Sequence, residues 1–105
     1  MQTENQKRIL HKAMVTRVLE GDGQASPTQR RAAFDNAMSN GPLSTLVNKV
    51  ANYAYKVADE DIAAVKASGL SEDGIFEIVV CAAIGQSTRQ YESALAALDT
   101  VFDKE

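Results

Sequence analysis

A chain of 105 residues is the right length for one domain, and residues 1–105 are expected to share a single core with one site per copy. The formal net charge of -3 comes from 14 acidic against 11 basic residues, and the Lys and Arg are scattered along the chain, which excludes nucleic acid as the expected partner. The longest near-continuous apolar run, Ile75 to Gly85 with Glu77 inside it, falls far short of the roughly 20 residues that span a bilayer, so no membrane contact is expected.

The first helix is predicted to start at Thr3, whose spacing to Gln6 fits a capping box. It carries Ile9, Leu10, Ala13, Met14 and Val18 and stops at Gly21-Asp22-Gly23. The second has the strongest start: Ser26 as cap, Pro27 in the first turn and Gln29 completing the box. It continues through Ala33, Phe34, Ala37 and Met38 to Asn40-Gly41-Pro42. Leu43, Leu46, Val47, Val50, Ala51 and Ala54 give the third helix one apolar stripe, which reads as core. A short fourth helix is capped by Asp59, buries Ile62 and Val65, and closes at Ser68-Gly69, where glycine suits the left-handed position past a helix end. The fifth starts at Ser71 and is apolar on every face from Ile75 to Ile84. Gly85 within it implies close packing or a local break, and Leu95, Leu98, Val101 and Phe102 form a stripe beyond it. The fold class is therefore all-α, about five helices in one domain. A domain this small buries only about 60 to 70% of its unfolded surface, so helices with such wide apolar faces are expected to self-associate.

Few residues offer chemistry. One cysteine excludes an internal disulfide and suits a reducing compartment. The opening Gln2-Thr3-Glu4-Asn5 lacks the pattern of a secretory signal, so a cytoplasmic protein is expected. With one Cys and one His, structural zinc within the chain would need carboxylates or a second subunit; no metal and no cofactor are expected. Cys81 lies in Ile78-Val79-Val80-Cys81-Ala82-Ala83 with no cation in that run, so a packing role outweighs a nucleophilic one. His11 sits on an amphipathic helix, where a boundary position outweighs a catalytic one. Glu77, inside an apolar run, needs a hydrogen-bonded or cationic partner. Arg89 is the nearest by helix position, although twelve residues of straight helix would separate them by about 18 Å. Tyr53, Tyr55 and Tyr91 are candidates to line a pocket or to bridge core and solvent; Met14 and Met38 read as packing.

The segment from Val57 to Val80, with a short helix ending at Gly69 and a Ser71-capped helix carrying Glu77 ahead of an Ala-rich apolar run, resembles the carboxymuconolactone decarboxylase and alkylhydroperoxidase D superfamily. The resemblance runs from Leu43 to Leu98 and implies an AhpD-like helical domain that assembles through its helical faces as a trimer or hexamer. Peroxidase members of that superfamily follow their glutamate with a CxxC pair and a histidine. If Glu77 matches the glutamate, those positions here hold Arg89, Glu92 and Ala96, so the dithiol centre is missing.

The resemblance then implies a homo-oligomer that has lost peroxidase chemistry and serves as a scaffold or a binder of a small organic ligand. Glu77, Arg89 and Glu92 would form either a polar patch holding that ligand or a salt-bridge network between helices. Decarboxylase members do not use CxxC, so a lyase acting on a small organic acid or lactone through Glu77 or His11 stays open. A one-cysteine peroxidase using Cys81 is the third reading.

Overall fold

The computed structural model describes the backbone of residues 2–103 and the side chains of residues 6–102. Among the described residues there are five α-helices and no strand: α1 (Gln2–Glu20), α2 (Pro27–Phe34), α3 (Pro42–Asn52), α4 (Asp59–Ala67) and α5 (Glu72–Asp103), with a 3-10 turn at Ala54–Lys56. The all-α expectation therefore holds, while the Thr3 cap falls outside the described side chains. None of these helices is long and apolar enough to cross a membrane.

Local chemistry sets most of the boundaries. The Ser26 hydroxyl accepts from the Gln29 amide and the Gln29 side chain accepts from the Ser26 amide, so both halves of the capping box form ahead of α2. That helix ends at Phe34, four residues before Met38. Asn36 takes a positive φ of 52°, a conformation asparagine tolerates better than most residues, and the chain leaves the helical path there. Ala54 likewise leaves the α3 stripe and lies exposed in the 3-10 turn. At α4 the cap is Ala58, not Asp59. Alanine has no acceptor, and the start is held instead by Asp61, whose carboxylate accepts from the Ala58 amide at 2.9 Å and pairs with Lys49 of α3 at 3.0 Å. Ser71 caps α5 through the Gly74 amide, and Gly69 occupies the left-handed region at φ 109°.

Helix α5 is the spine against which the others pack. Ala33, Phe34, Val47, Ile78, Cys81 and Ala82 join Leu19 and Ala25 in one buried cluster, while Leu46, Val65 and Ile75 form a second between α3, α4 and the start of α5. Gly85 does not break the helix. It brings α5 against the end of α2 so closely that a Cβ there would lie 2.7 Å from the Phe34 carbonyl carbon and 2.8 Å from its Cα. Helix α1 runs antiparallel to α5, since Val18 lies beside Cys81 and His11 beside Thr88.

The two outer helices extend past the core, giving principal extents of 55 × 28 × 20 Å. The apolar stripe of α1 is largely open: Ile9 and Leu10 are 66% and 69% exposed, and Met14, read as packing, is exposed as well, while Val18 packs against the core. Leu98, Val101 and Phe102 of α5, and Phe76 near its start, are likewise uncovered.

Candidate functional site

Three charged side chains tie the ends of α1 and α2 to the rest of the fold. Glu77, half-buried on α5, accepts the backbone amides of Gln24 and Ala25, each at 2.9 Å, and so fixes the connection that leads into α2. Arg30, buried on α2, donates through Nη1 to the carbonyls of Val18 at 3.2 Å and Gly21 at 2.6 Å, groups at the end of α1 that have no helical partner of their own. Arg89 does the same for α2, donating to the Phe34 carbonyl at 2.6 Å and to Gln86 at 2.9 Å. Cations are favoured at both of these carbonyl ends by the helix dipole.

Glu77 and Arg89 therefore do not meet. Helix α5 is unbroken between them, which keeps them about 18 Å apart along its axis, and each is engaged with backbone groups. The partner that sequence reasoning missed is Arg30, whose charge acts on both Glu77 and Cys81. Its only sequence signal was an arginine in register with Ala33 and Phe34 on the inner face of α2.

The amides of Gln24 and Ala25, in that order, hold the Glu77 carboxyl below its ordinary value of 4.5, with a smaller contribution from Arg30. Because the folded-state value is lowered, the stability this group supplies is fully present above the unfolded-state value and is lost as pH falls through the folded one. Glu77→Gln turns one acceptor oxygen into a donor facing an N–H, and is expected to cost about 1–2 kcal/mol at neutral pH in a denaturant titration. The difference between variant and parent should shrink below pH 4.5. An unchanged midpoint at neutral pH would show that Glu77 does not hold the loop.

Glu77 also edges a hollow of about 250 Å³ with Arg17, Asp22, Arg30 and Phe76. Cys81 is buried, its thiol 3.6 Å from the Val18 carbonyl, and burial pushes its pKa up despite Arg30. That environment supports packing over nucleophilic chemistry. Tyr55 is 82% exposed on the 3-10 turn beside Lys56, and Tyr53 flanks the same lysine. Among the described residues no three His, Cys, Asp or Glu side chains are placed to hold a metal ion.

The remaining candidates converge elsewhere. A cavity of about 520 Å³ opens between α1, α2 and α5, with His11, Tyr91 and Glu92 in its lining. Its walls follow helical geometry. Arg8, His11, Lys12 and Val15 stand at i, i+3, i+4 and i+7 on α1, and Thr88, Tyr91, Glu92 and Leu95 repeat that spacing on α5. Arg31 and Phe34 of α2 close the third side.

Inside, the His11 Nε2 lies 3.0 Å from the hydroxyl of buried Thr88, and the His11 and Tyr91 rings stand 5.3 Å apart at 37°. The site thus combines an apolar floor with an imidazole fixed by a hydroxyl. Such a pairing of mostly apolar wall with a few converging polar groups is what small-molecule sites provide. A larger depression of about 850 Å³ beside Ile9 and Met14 is bounded by α1 alone and lacks an opposing wall.

No protein-family model, no curated protein and no solved structure matches this chain.

Proposed function

We propose that the protein is a homo-oligomeric, AhpD-like member of the carboxymuconolactone decarboxylase superfamily that has no dithiol centre and binds a small organic ligand between α1, α2 and α5. The observation that carries this reading is the convergence of His11, Thr88 and Tyr91 on one cavity with an apolar floor. The superfamily assignment rests on the helical pattern from Leu43 to Leu98 and on Glu77 ahead of the apolar run. Binding is tested by adding a fragment library to ¹⁵N-labelled protein. Hits are expected to move the amides of Thr88, Tyr91 and Glu92, and Leu95→Trp, which fills the cavity, is expected to abolish them. A library that moves none of these amides overturns the binder.

Self-association is supported by the open apolar residues on α1 and α5, which a second copy of the chain would cover. Sedimentation is expected to give a multiple of the single-chain mass, with Leu98→Asp combined with Phe102→Asp shifting it to one chain. A single-chain mass for the parent protein at high micromolar concentration would refute the oligomer.

A lyase acting on a small organic acid or lactone is a second reading, favoured by the imidazole inside the cavity. His11, not Glu77, then serves as the acid-base group, since both Glu77 oxygens accept backbone amides. Turnover that survives His11→Gln would remove that role.

A further inference from the structure

From the charges at its mouth, we infer that the cavity selects an organic carboxylate with a flat apolar body. The inference rests on reading the α1–α2–α5 cavity as a ligand site and adds the class of ligand it takes. The chain as a whole carries 14 acidic against 11 basic side chains, so a site drawn at random on its surface would carry a slight acidic excess. This one does not. Arg8, Lys12 and Arg31 contribute three positive charges to the lining against the single carboxylate of Glu92. Asp35, paired with Arg31 at 3.1 Å on the exposed side of α2, offsets part of this and still leaves the mouth positive. Exposed i,i+4 pairs of this kind hold their partners weakly, so the Arg31 guanidinium remains available to an incoming anion.

The interior asks for something different from the rim. Val15, Phe34 and Leu95 offer only carbon, and the tilted His11 and Tyr91 rings form an aromatic wall. A ligand satisfying both regions places a ring against that wall and a carboxylate at the rim. There, arginine side chains can donate two parallel hydrogen bonds to it. A neutral ligand of the same shape gains the apolar contact alone. A cationic one meets three like charges on the α1 and α2 walls against the one carboxylate of Glu92 on α5.

The probes are 3-phenylpropanoate, its neutral amide 3-phenylpropanamide, and 3-phenylpropylammonium, each titrated into the full-length ¹⁵N-labelled protein at low and high salt. The carboxylate is expected to bind at least tenfold more tightly than the amide, to move the amides of Thr88, Tyr91 and Glu92, and to weaken with salt. The ammonium is expected to bind least. Arg8→Gln combined with Lys12→Gln, both at exposed positions outside the core, should cut the carboxylate's advantage over the amide at least threefold, the remainder resting on Arg31, without changing the thermal midpoint.

Equal binding of carboxylate and amide at the cavity by the parent protein overturns the anion selectivity and leaves the binding site standing. If none of the three probes moves the cavity amides, while other fragments do, the class inferred here is refuted. If nothing at all binds there, both the class and the site fall. Carboxylate binding that survives Leu95→Trp would place it on the α1 surface and refute the inference as well.

Discussion

Gly85→Ala is expected to destabilise the protein by about 4 kcal/mol, a large share of the 5–15 kcal/mol typical of a domain. Two effects of opposite sign meet at this position. In an exposed helix interior, alanine is favoured over glycine by about 1 kcal/mol, because glycine gives up more backbone freedom on folding. Here the added carbon would sit 2.7 Å from the carbonyl carbon of Phe34 and 2.8 Å from its Cα. Those are backbone atoms in the last turn of α2, and no side-chain rotation can move them aside. Accommodating the methyl requires α2 to withdraw from α5 by a distance that opens the Ala33–Cys81–Ala82 core and pulls the Phe34 carbonyl away from Arg89. Overpacking therefore wins over propensity. Chemical denaturation at fixed protein concentration measures the difference, and a variant as stable as the parent would mean that α2 and α5 do not approach as described.

Arg30→Met is the second large effect, with an expected loss of about 2–3 kcal/mol. Removing the guanidinium deprives the Val18 and Gly21 carbonyls of a charged donor, and hydrogen bonds from charged groups contribute about 1.5–3 kcal/mol each. Against this, Arg30 is 5% exposed, and among the described residues no carboxylate lies within ion-pair distance of it and its Nε has no partner. Taking such a charge out of water is costly, and methionine of similar length recovers that cost together with some apolar contact. The loss of two charge-assisted bonds at the C-terminal end of a helix outweighs the relief, because the freed carbonyls lie at a part-buried junction. A variant more stable than the parent would reverse that ordering and assign the dominant weight to charge burial.

Much of the helix layout was legible in the sequence, and the misses share a cause. Ser26-Pro27-x-Gln29, the α3 stripe as far as Ala51, Gly69 and Ser71 are local signals whose geometry is decided within a few residues, and each sits where the pattern predicts. The end of α2 is decided largely across the chain, by α5 pressing on Phe34 and by Arg89 taking its carbonyl, and the local signal, Asn36 in the left-handed region, is weaker than a glycine would be. Asp59 has the composition of a cap, yet Asp61 holds the start of α4 because its carboxylate can reach both the Ala58 amide and Lys49.

The candidate site divides along the same line. Glu77 was legible as a carboxylate in need of partners, but those partners are backbone amides of a loop, invisible in a pattern of side chains. His11, Tyr91 and Glu92 were each singled out without the relation between them, because the facing stripes on α1 and α5 are polar and give no hydrophobic period. Thr88, which fixes His11, went unnoticed for that reason. The apolar stripe of α1, one of the faces expected to drive self-association, is largely exposed within one chain, because α5 faces the opposite side of that helix.

The unbroken run of α5 from Gly85 to Leu95 has a consequence for how this chain tolerates change in length. Each residue turns the helix by about 100°. An insertion or deletion of one residue between Gly85 and Thr88 would leave the contact with Phe34 in place and rotate Thr88, Tyr91, Glu92 and Leu95 together away from His11. The helix would persist and the cavity would vanish. Substitutions along this stretch act one side chain at a time, whereas a change of register acts on a whole wall, so the count of residues here is constrained more tightly than their identities.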